Sequence, residues 1–297
     1  MLLIGIALLA QEAQEATTSP DAPETDTLWK FSGVSSLNLS QLALSNWAAG
    51  GENSVSGNAL LKLSADYDNG TTSWDNDLTL GFGLTKQGDE LARKSDDQIN
   101  LSSKFGYKAS KKWRYSALLG FTTQFAEGYE NPGDEDRTRI SNFMAPGYLN
   151  LALGMDYKPG KNLSLFISPV TGKVTFVLDT MLANKGAFGV DPGQAVRGEF
   201  GAYIKFAYKR EILKHVLLDT KIDLFSNYLN HPERVDVNWD LLLTFKVNEY
   251  ISATLMTQLI YDHDIKFDPD PSDDIEEYTE DRVQFKELLG LGLTYTF

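Results

Sequence analysis

The sequence predicts an all-β protein, a closed antiparallel transmembrane β-barrel of about twelve strands. Three observations predict it: long segments of period two, links that alternate between short and long, and aromatic residues gathered beside the short links.

Length and composition allow this fold without demanding it. A chain of 297 residues fits one barrel, and its 42% apolar and 23% charged residues match a water-soluble protein equally well. A transmembrane barrel turns only alternate residues to lipid, so its average hydropathy stays low. The net charge of −14 excludes nucleic acid as a partner, because phosphate binding needs a concentrated basic face. Cysteine is absent, which removes disulfides and thiolate chemistry.

The elements follow in chain order. Residues 1–10 carry a short apolar run from Leu2 to Ala10, too brief to span a bilayer, which reads as the remnant of a secretory signal. No Lys or Arg precedes it, and Leu8 stands where a cleavage site prefers a small residue. Residues 11–28 are acidic and proline-containing and read as a disordered periplasmic leader. The barrel is expected over 29–297, with strands near 29–43, 55–68, 72–86, 95–109, 112–127, 144–158, 162–180, 195–209, 213–228, 233–247, 250–263 and 282–297. Most exceed the roughly nine to eleven residues that a tilted strand needs to cross hydrocarbon. Alternation is plainest in the tenth, where Val235, Val237, Trp239, Leu241, Leu243, Phe245 and Val247 face away from Asp236, Asn238, Asp240, Leu242, Thr244 and Lys246. In the last strand only Glu287 interrupts the apolar face. Within the seventh, Pro169 cannot donate to a ladder, so Ser168-Pro169 predicts a bulge or bend.

Short turns are expected at Asp68-Asn69-Gly70, Ser110-Lys111, Pro159-Gly160-Lys161, Glu211-Ile212 and Asn248-Glu249, with longer links between them. Short periplasmic turns and long outer loops place both termini in the periplasm. Tyr67, Trp74, Tyr107, Trp113, Tyr157, Tyr208 and Tyr295 flank the short turns, and Phe297 ends the chain. They form a membrane-interface belt, the ring on the apolar side and the OH or N–H on the wet side.

Two stretches carry a resemblance. Ser45-Asn46-Trp47-Ala48-Ala49-Gly50-Gly51-Glu52-Asn53, and Ser168-Pro169-Val170-Thr171-Gly172-Lys173 followed by Gly186-Ala187-Phe188-Gly189-Val190, resemble an uncharacterised family of Bacteroidota outer-membrane barrels, a domain of unknown function. The resemblance spans Trp29 to Phe297, and Phe297 resembles the terminal signal read by barrel assembly machinery. It implies a fold and a location in the outer membrane, and no activity.

The expected lumen residues are Lys62, Asp66, Asp75, Asp77, Lys104, Arg114, Glu199, Lys205, Asp219, Lys221, Asp223, Asp236, Asp240 and Lys286. Interleaved signs fit a narrow pore for small polar solutes, and they fit equally a filled interior in which the charges pair, because unpaired buried charge costs several kcal/mol. Trp47, Gly50 and Gly51 form either a plain turn or a loop that docks another outer-membrane protein. Residues 262–281 hold ten carboxylates, with Asp268, Asp270, Asp273 and Asp274 close together. They read as a solvated loop, or as weak ligands for divalent cations bridging to lipopolysaccharide; the spacing matches no calcium loop. His215, His231 and His263 fall in different places, and no nucleophile motif, metal-spaced His pair or phosphate loop occurs. The sequence therefore predicts no cofactor and no enzyme. Its expected partners are outer-membrane lipid and lipopolysaccharide, the assembly machinery during insertion, and other outer-membrane proteins.

Overall fold

The computed structural model describes residues 28–44, 52–130, 133, 137–267 and 280–296. Twelve long antiparallel strands close into one barrel. They are β1 (Trp29–Leu42), β2 (Ser54–Asp68), β3 (Thr72–Gln87), β4 (Arg93–Lys108) and β5 (Trp113–Thr123), then β8 (Gly147–Tyr157), β9 (Leu163–Phe176), β10 (Val196–Leu213), β11 (Val216–Asn227), β12 (Val235–Lys246), β13 (Ile251–Tyr261) and β16 (Gln284–Thr296). Four short strands lie outside the wall: β6 (Gly128–Tyr129) pairs with β7 (Arg139–Ser141), and β14 (Lys266–Phe267) with β15 (Glu280–Asp281). Each barrel strand pairs with its neighbours in the chain, and β1 meets β16 to close the ring. Closure gives backbone N–H and C=O groups partners within the sheet, which hydrocarbon requires.

Side chains alternate as the pleat dictates. Along β5, Tyr115, Ala117 and Leu119 are exposed on the outer wall, while Ser116 and Leu118 are buried inside. Among described residues the outer wall is apolar over much of its height, including Leu101, Leu151, Ile204, Phe245 and Leu291. No described helix is long and apolar enough to cross a membrane.

The expected strands lie near where alternation puts them, with three differences. The segment expected over 112–127 ends at Thr123, where the Phe125 and Ala126 amides donate to the Asp97 carboxylate. The segment expected to run to residue 180 ends at Phe176, because Asp179 caps the helix α1 (Thr180–Asn184) with bonds from the Met181 and Leu182 amides. The turn expected at Glu211-Ile212 lies at 214–215, so β10 continues to Leu213 through a bulge between Glu211 and Leu213. The Glu211 side chain stabilises that turn by accepting a hydrogen bond from the His215 amide at 2.8 Å.

The links at the opposite end pack together. Ala145 and Val177 join Leu182, Ala183 and Val190 of the α1 link in a small buried apolar cluster. Arg139 on β7 reaches the Asp179 carboxylate at 2.6 Å, tying two links into one cap.

Candidate functional site in the barrel interior

The lumen is built by the inward half of each strand. Near the short-turn end, Lys104 on β4 lies 2.8 Å from Asp156 and 3.8 Å from Asp75 and donates to Ser164 at 2.6 Å, and Lys158 also contacts Asp75. Arg114 pairs with Asp68 at 3.0 Å, and Asp66 is exposed at the same rim.

At mid-height the pairs cross the lumen. Strands β3 and β11 stand on opposite walls of the ring, yet Lys221 Nζ comes within 3.6 Å of Asp77 Oδ2. Lys62 on β2 likewise reaches Asp219 on β11 at 3.2 Å. Lys205 pairs with Asp223 at 3.3 Å, Tyr203 donates to that same carboxylate, and Gln258 donates to Asp240 at 2.9 Å. Beside these pairs, Leu118, Ala152, Phe166, Tyr203 and Phe225 line one wall as a buried apolar cluster.

At the long-link end Lys173 lies 2.7 Å from Asp236 and 3.6 Å from both Glu199 and Asp262. Arg197 bridges Asp264 at 2.9 Å and Glu199 at 3.3 Å, and Lys286 reaches Asp96 at 2.9 Å. One small cavity in this mouth, between Arg197, His231, Asp236, His263 and Asp264, has about 20 Å³, room for one water. A much larger hollow of about 740 Å³ lies between Trp74, Phe105, Leu119, Leu151, Leu153 and Val170, on the outer wall.

The side chains expected in the lumen stand on the inward phase of their strands, with Asp66 exposed at the rim, and the hub of the mouth is a residue that alternation alone does not point to. Pro169 and Val170 are both exposed, so β9 slips by one residue there and Lys173 turns inward. Strict alternation from Phe166 would have sent Lys173 to lipid; the proline was the available signal, and its consequence for phase went undrawn. Asp96, Asp156, Asp262, Asp264 and Arg197 also went unnamed. His231 and His263, expected in an outer loop and at an outer strand end, border one cavity, and His263 Nδ1 lies 2.5 Å from Asp281, while His215 sits in a turn at the far end.

Outside the membrane-spanning strands, burial works against the Asp179 carboxylate, but hydrogen bonds from Arg139, Asn142 and the Leu182 amide outweigh it. Its pKa falls below the ordinary 3.8.

The aromatics expected in a belt lie near the short-turn end. Trp29 lies 5.3 Å from Tyr67 and 5.9 Å from Trp74, Trp113 lies 5.0 Å from Tyr157, and Trp74 Nε1 donates to Ser103 at 2.9 Å. Tyr107 and Tyr295 are exposed on the outer wall, with Tyr208 partly so. Phe297, the loop at Trp47, Gly50 and Gly51, and the carboxylates Asp268, Asp270, Asp273 and Asp274 lie outside the described residues. Among described residues, no three His, Asp or Glu side chains are grouped to hold a metal.

Residues 39–129 match the model of a family described as a protein of unknown function (DUF3078). No curated protein sequence matches the chain. Solved structures of similar shape include the translocator domain of the autotransporter NalP from Neisseria meningitidis, 8% identical, covering 99% of this chain and 97% of that one, with a TM-score of 0.40. The COG4313 outer membrane channel from Pseudomonas putida F1 is 12% identical and covers 94% of this chain and 100% of its own, with a TM-score of 0.39. Outer membrane phospholipase A from Escherichia coli is 11% identical over 90% of this chain and 96% of its own, with a TM-score of 0.34.

Proposed function

We propose that the chain is an integral outer-membrane barrel without enzymatic activity whose lumen is filled, and that it serves as a structural or accessory subunit of a larger envelope complex. The observation that carries this is the pair of ion contacts spanning the lumen, Lys221–Asp77 and Lys62–Asp219. An open pore would leave such charges in water, where a pair contributes little. Here Lys62, Asp219 and Lys221 are partly buried, Asp77 is 39% exposed, and each pair joins opposite charges, which is how a narrow polar interior avoids unpaired charge. The apolar outer wall and the aromatic belt support the membrane location.

Planar bilayers distinguish this reading from a narrow pore for polar solutes. Wild-type protein should give no stepwise conductance, whereas Lys62→Ser with Lys221→Ser, which removes both struts, should give discrete steps. Steady stepwise conductance from the wild type overturns the filled lumen.

A further inference from the structure

In a chain of net charge −14, one end of the barrel is basic. The short-turn end exposes Lys30, Lys108, Lys209 and Lys246 at strand ends, and Lys111, Lys112, Lys161, Arg210 and Lys214 in or beside the turns. None of these cations is in an ion pair among the described residues. The exposed carboxylates described at this end are Asp66, Asp68, Glu211 and Glu249, and Asp68 is already taken by Arg114 at 3.0 Å. Lys108 stands directly opposite Arg114 across the β4–β5 ladder, a like-charge juxtaposition that costs stability unless an anion lies against it.

Strand phase turns the four strand-end lysines toward the barrel axis. Lys30 follows the phase of the buried Ser36 and Asn38, Lys108 that of Lys104, Lys209 that of Lys205, and Lys246 that of the buried Leu242 and Thr244. Lying on β1, β4, β10 and β12, they are spread around the ring and crown the mouth of the lumen. The complementary charge is in the same chain. Residues 11–27, outside the described residues, carry Glu12, Glu15, Asp21, Glu24 and Asp26 with no Lys or Arg. They lead into Trp29 on the rim of this mouth. A stretch of that length reaches up to roughly 55–60 Å. A ring of twelve strands about 4.8 Å apart and tilted about 40° is roughly 24 Å across, so the segment is long enough to cross it.

We infer that the acidic segment 11–27 docks across the short-turn mouth, its carboxylates meeting the crown of Lys30, Lys108, Lys209 and Lys246. The tether holds it there at an effective concentration on the order of mM, which lets individually weak, solvent-exposed ion pairs act together. Anionic phospholipid is the disfavoured occupant, because its head groups lie outside the wall while the four lysines stand on the inward phase. The inference goes beyond the filled lumen and does not depend on it, since an open mouth would carry the same crown.

The test is a distance measurement on the full-length chain refolded into phosphatidylcholine vesicles. Nitroxides are placed at Ala22→Cys and at Gly160→Cys, in the turn between β8 and β9 across the ring from β1, and pulsed electron resonance reads the distances between them. The expected result is a distinct population within roughly 25 Å, the width of the mouth. It should fall several-fold in about 1 M salt, where the Debye length is about 3 Å. Glu12→Gln, Glu15→Gln, Asp21→Asn, Glu24→Gln and Asp26→Asn together should cause the same loss, and these changes lie outside the barrel strands. Lys108→Gln with Lys209→Gln and Lys246→Gln should match it from the other side. Absence of the short population, or its persistence in salt and after neutralisation of the five carboxylates, overturns the docking. Replacing a third of the lipid by phosphatidylglycerol should leave the population unchanged. Its displacement by that lipid would assign the crown to head groups and overturn the proposal.

Discussion

Leu241 and Asp240 adjoin in β12 and face opposite media. Asp240 accepts from Gln258 inside the barrel, while Leu241 stands between Thr220 and Thr257 on the outer wall, midway along its strand. A charge introduced at Leu241 meets hydrocarbon near the bilayer centre, where Arg costs about 2–4 kcal/mol. Val247 follows the last residue of the same strand and is 67% exposed at the turn, so Val247→Arg should cost only about 0–1 kcal/mol. Asp240→Asn keeps an acceptor for Gln258 in a polar interior and should perturb folding less than Leu241→Arg. Refolding the three variants into lipid vesicles under a urea titration gives the order directly. A larger loss for Asp240→Asn than for Leu241→Arg would reverse the face assignment of β12. These faces were legible in the sequence because lipid and lumen select opposite polarity at every second residue, and β12 has no bulge to shift the phase.

At the scale of elements, legibility ended wherever a local bond outweighed the pattern. In β9 the ladder breaks at Pro169, where Ser168 Oγ donates toward the Leu153 and Val170 carbonyls and accepts from Thr171 at 2.8 Å. Gly154 is the matching accommodation on β8, since a Cβ there would sit 2.1 Å from the Ile167 carbonyl oxygen. The bulge itself was readable from one proline; the reversal of Lys173 needed the partner strand. The cap shows the same limit, because α1 is too short to announce itself by periodicity and depends on Asp179. That carboxylate has a folded pKa below its ordinary value, so its ionised form stabilises the cap. The contribution is fully present above pH 3.8 and is lost as the pH falls through the lower folded value. Amide exchange at 180–184 should therefore stay slow from neutral pH down to about pH 4 and rise only below it. Asp179→Ala should speed that exchange above about pH 4, by about 0.5–2 kcal/mol of lost capping, converge with the wild type in acid, and erase the acid transition. An acid transition unchanged in Asp179→Ala would assign it to another group.

Across the whole molecule, one asymmetry sets orientation. The turns at 69–71, 109–112, 158–162, 214–215 and 247–250 are short and share an end of the barrel with both the start of β1 and the end of β16. The links at the other end are longer except that at 88–92, which equals the 158–162 turn, and one pair folds into the cap joined by Arg139 and Asp179. Outer-membrane barrels carry short turns on the periplasmic side, and the orientation we propose by that pattern puts the cap and the mouth around Lys173 outside and the termini in the periplasm. The sequence contains no cysteine, so single labels can be placed without background. Gly160 has open space around it in its turn, and Asn230 lies in the link after β11 at the opposite end. On intact cells, a maleimide that cannot cross the membrane should modify Asn230→Cys and miss Gly160→Cys until the outer membrane is permeabilised. The reverse pattern would invert the barrel, moving the cap to the periplasmic side while leaving the strand order untouched. Modification of both sites on intact cells would instead mean that the wall does not separate two compartments, and the alternation of apolar and polar residues would then have to be explained by a core shared between two packed sheets.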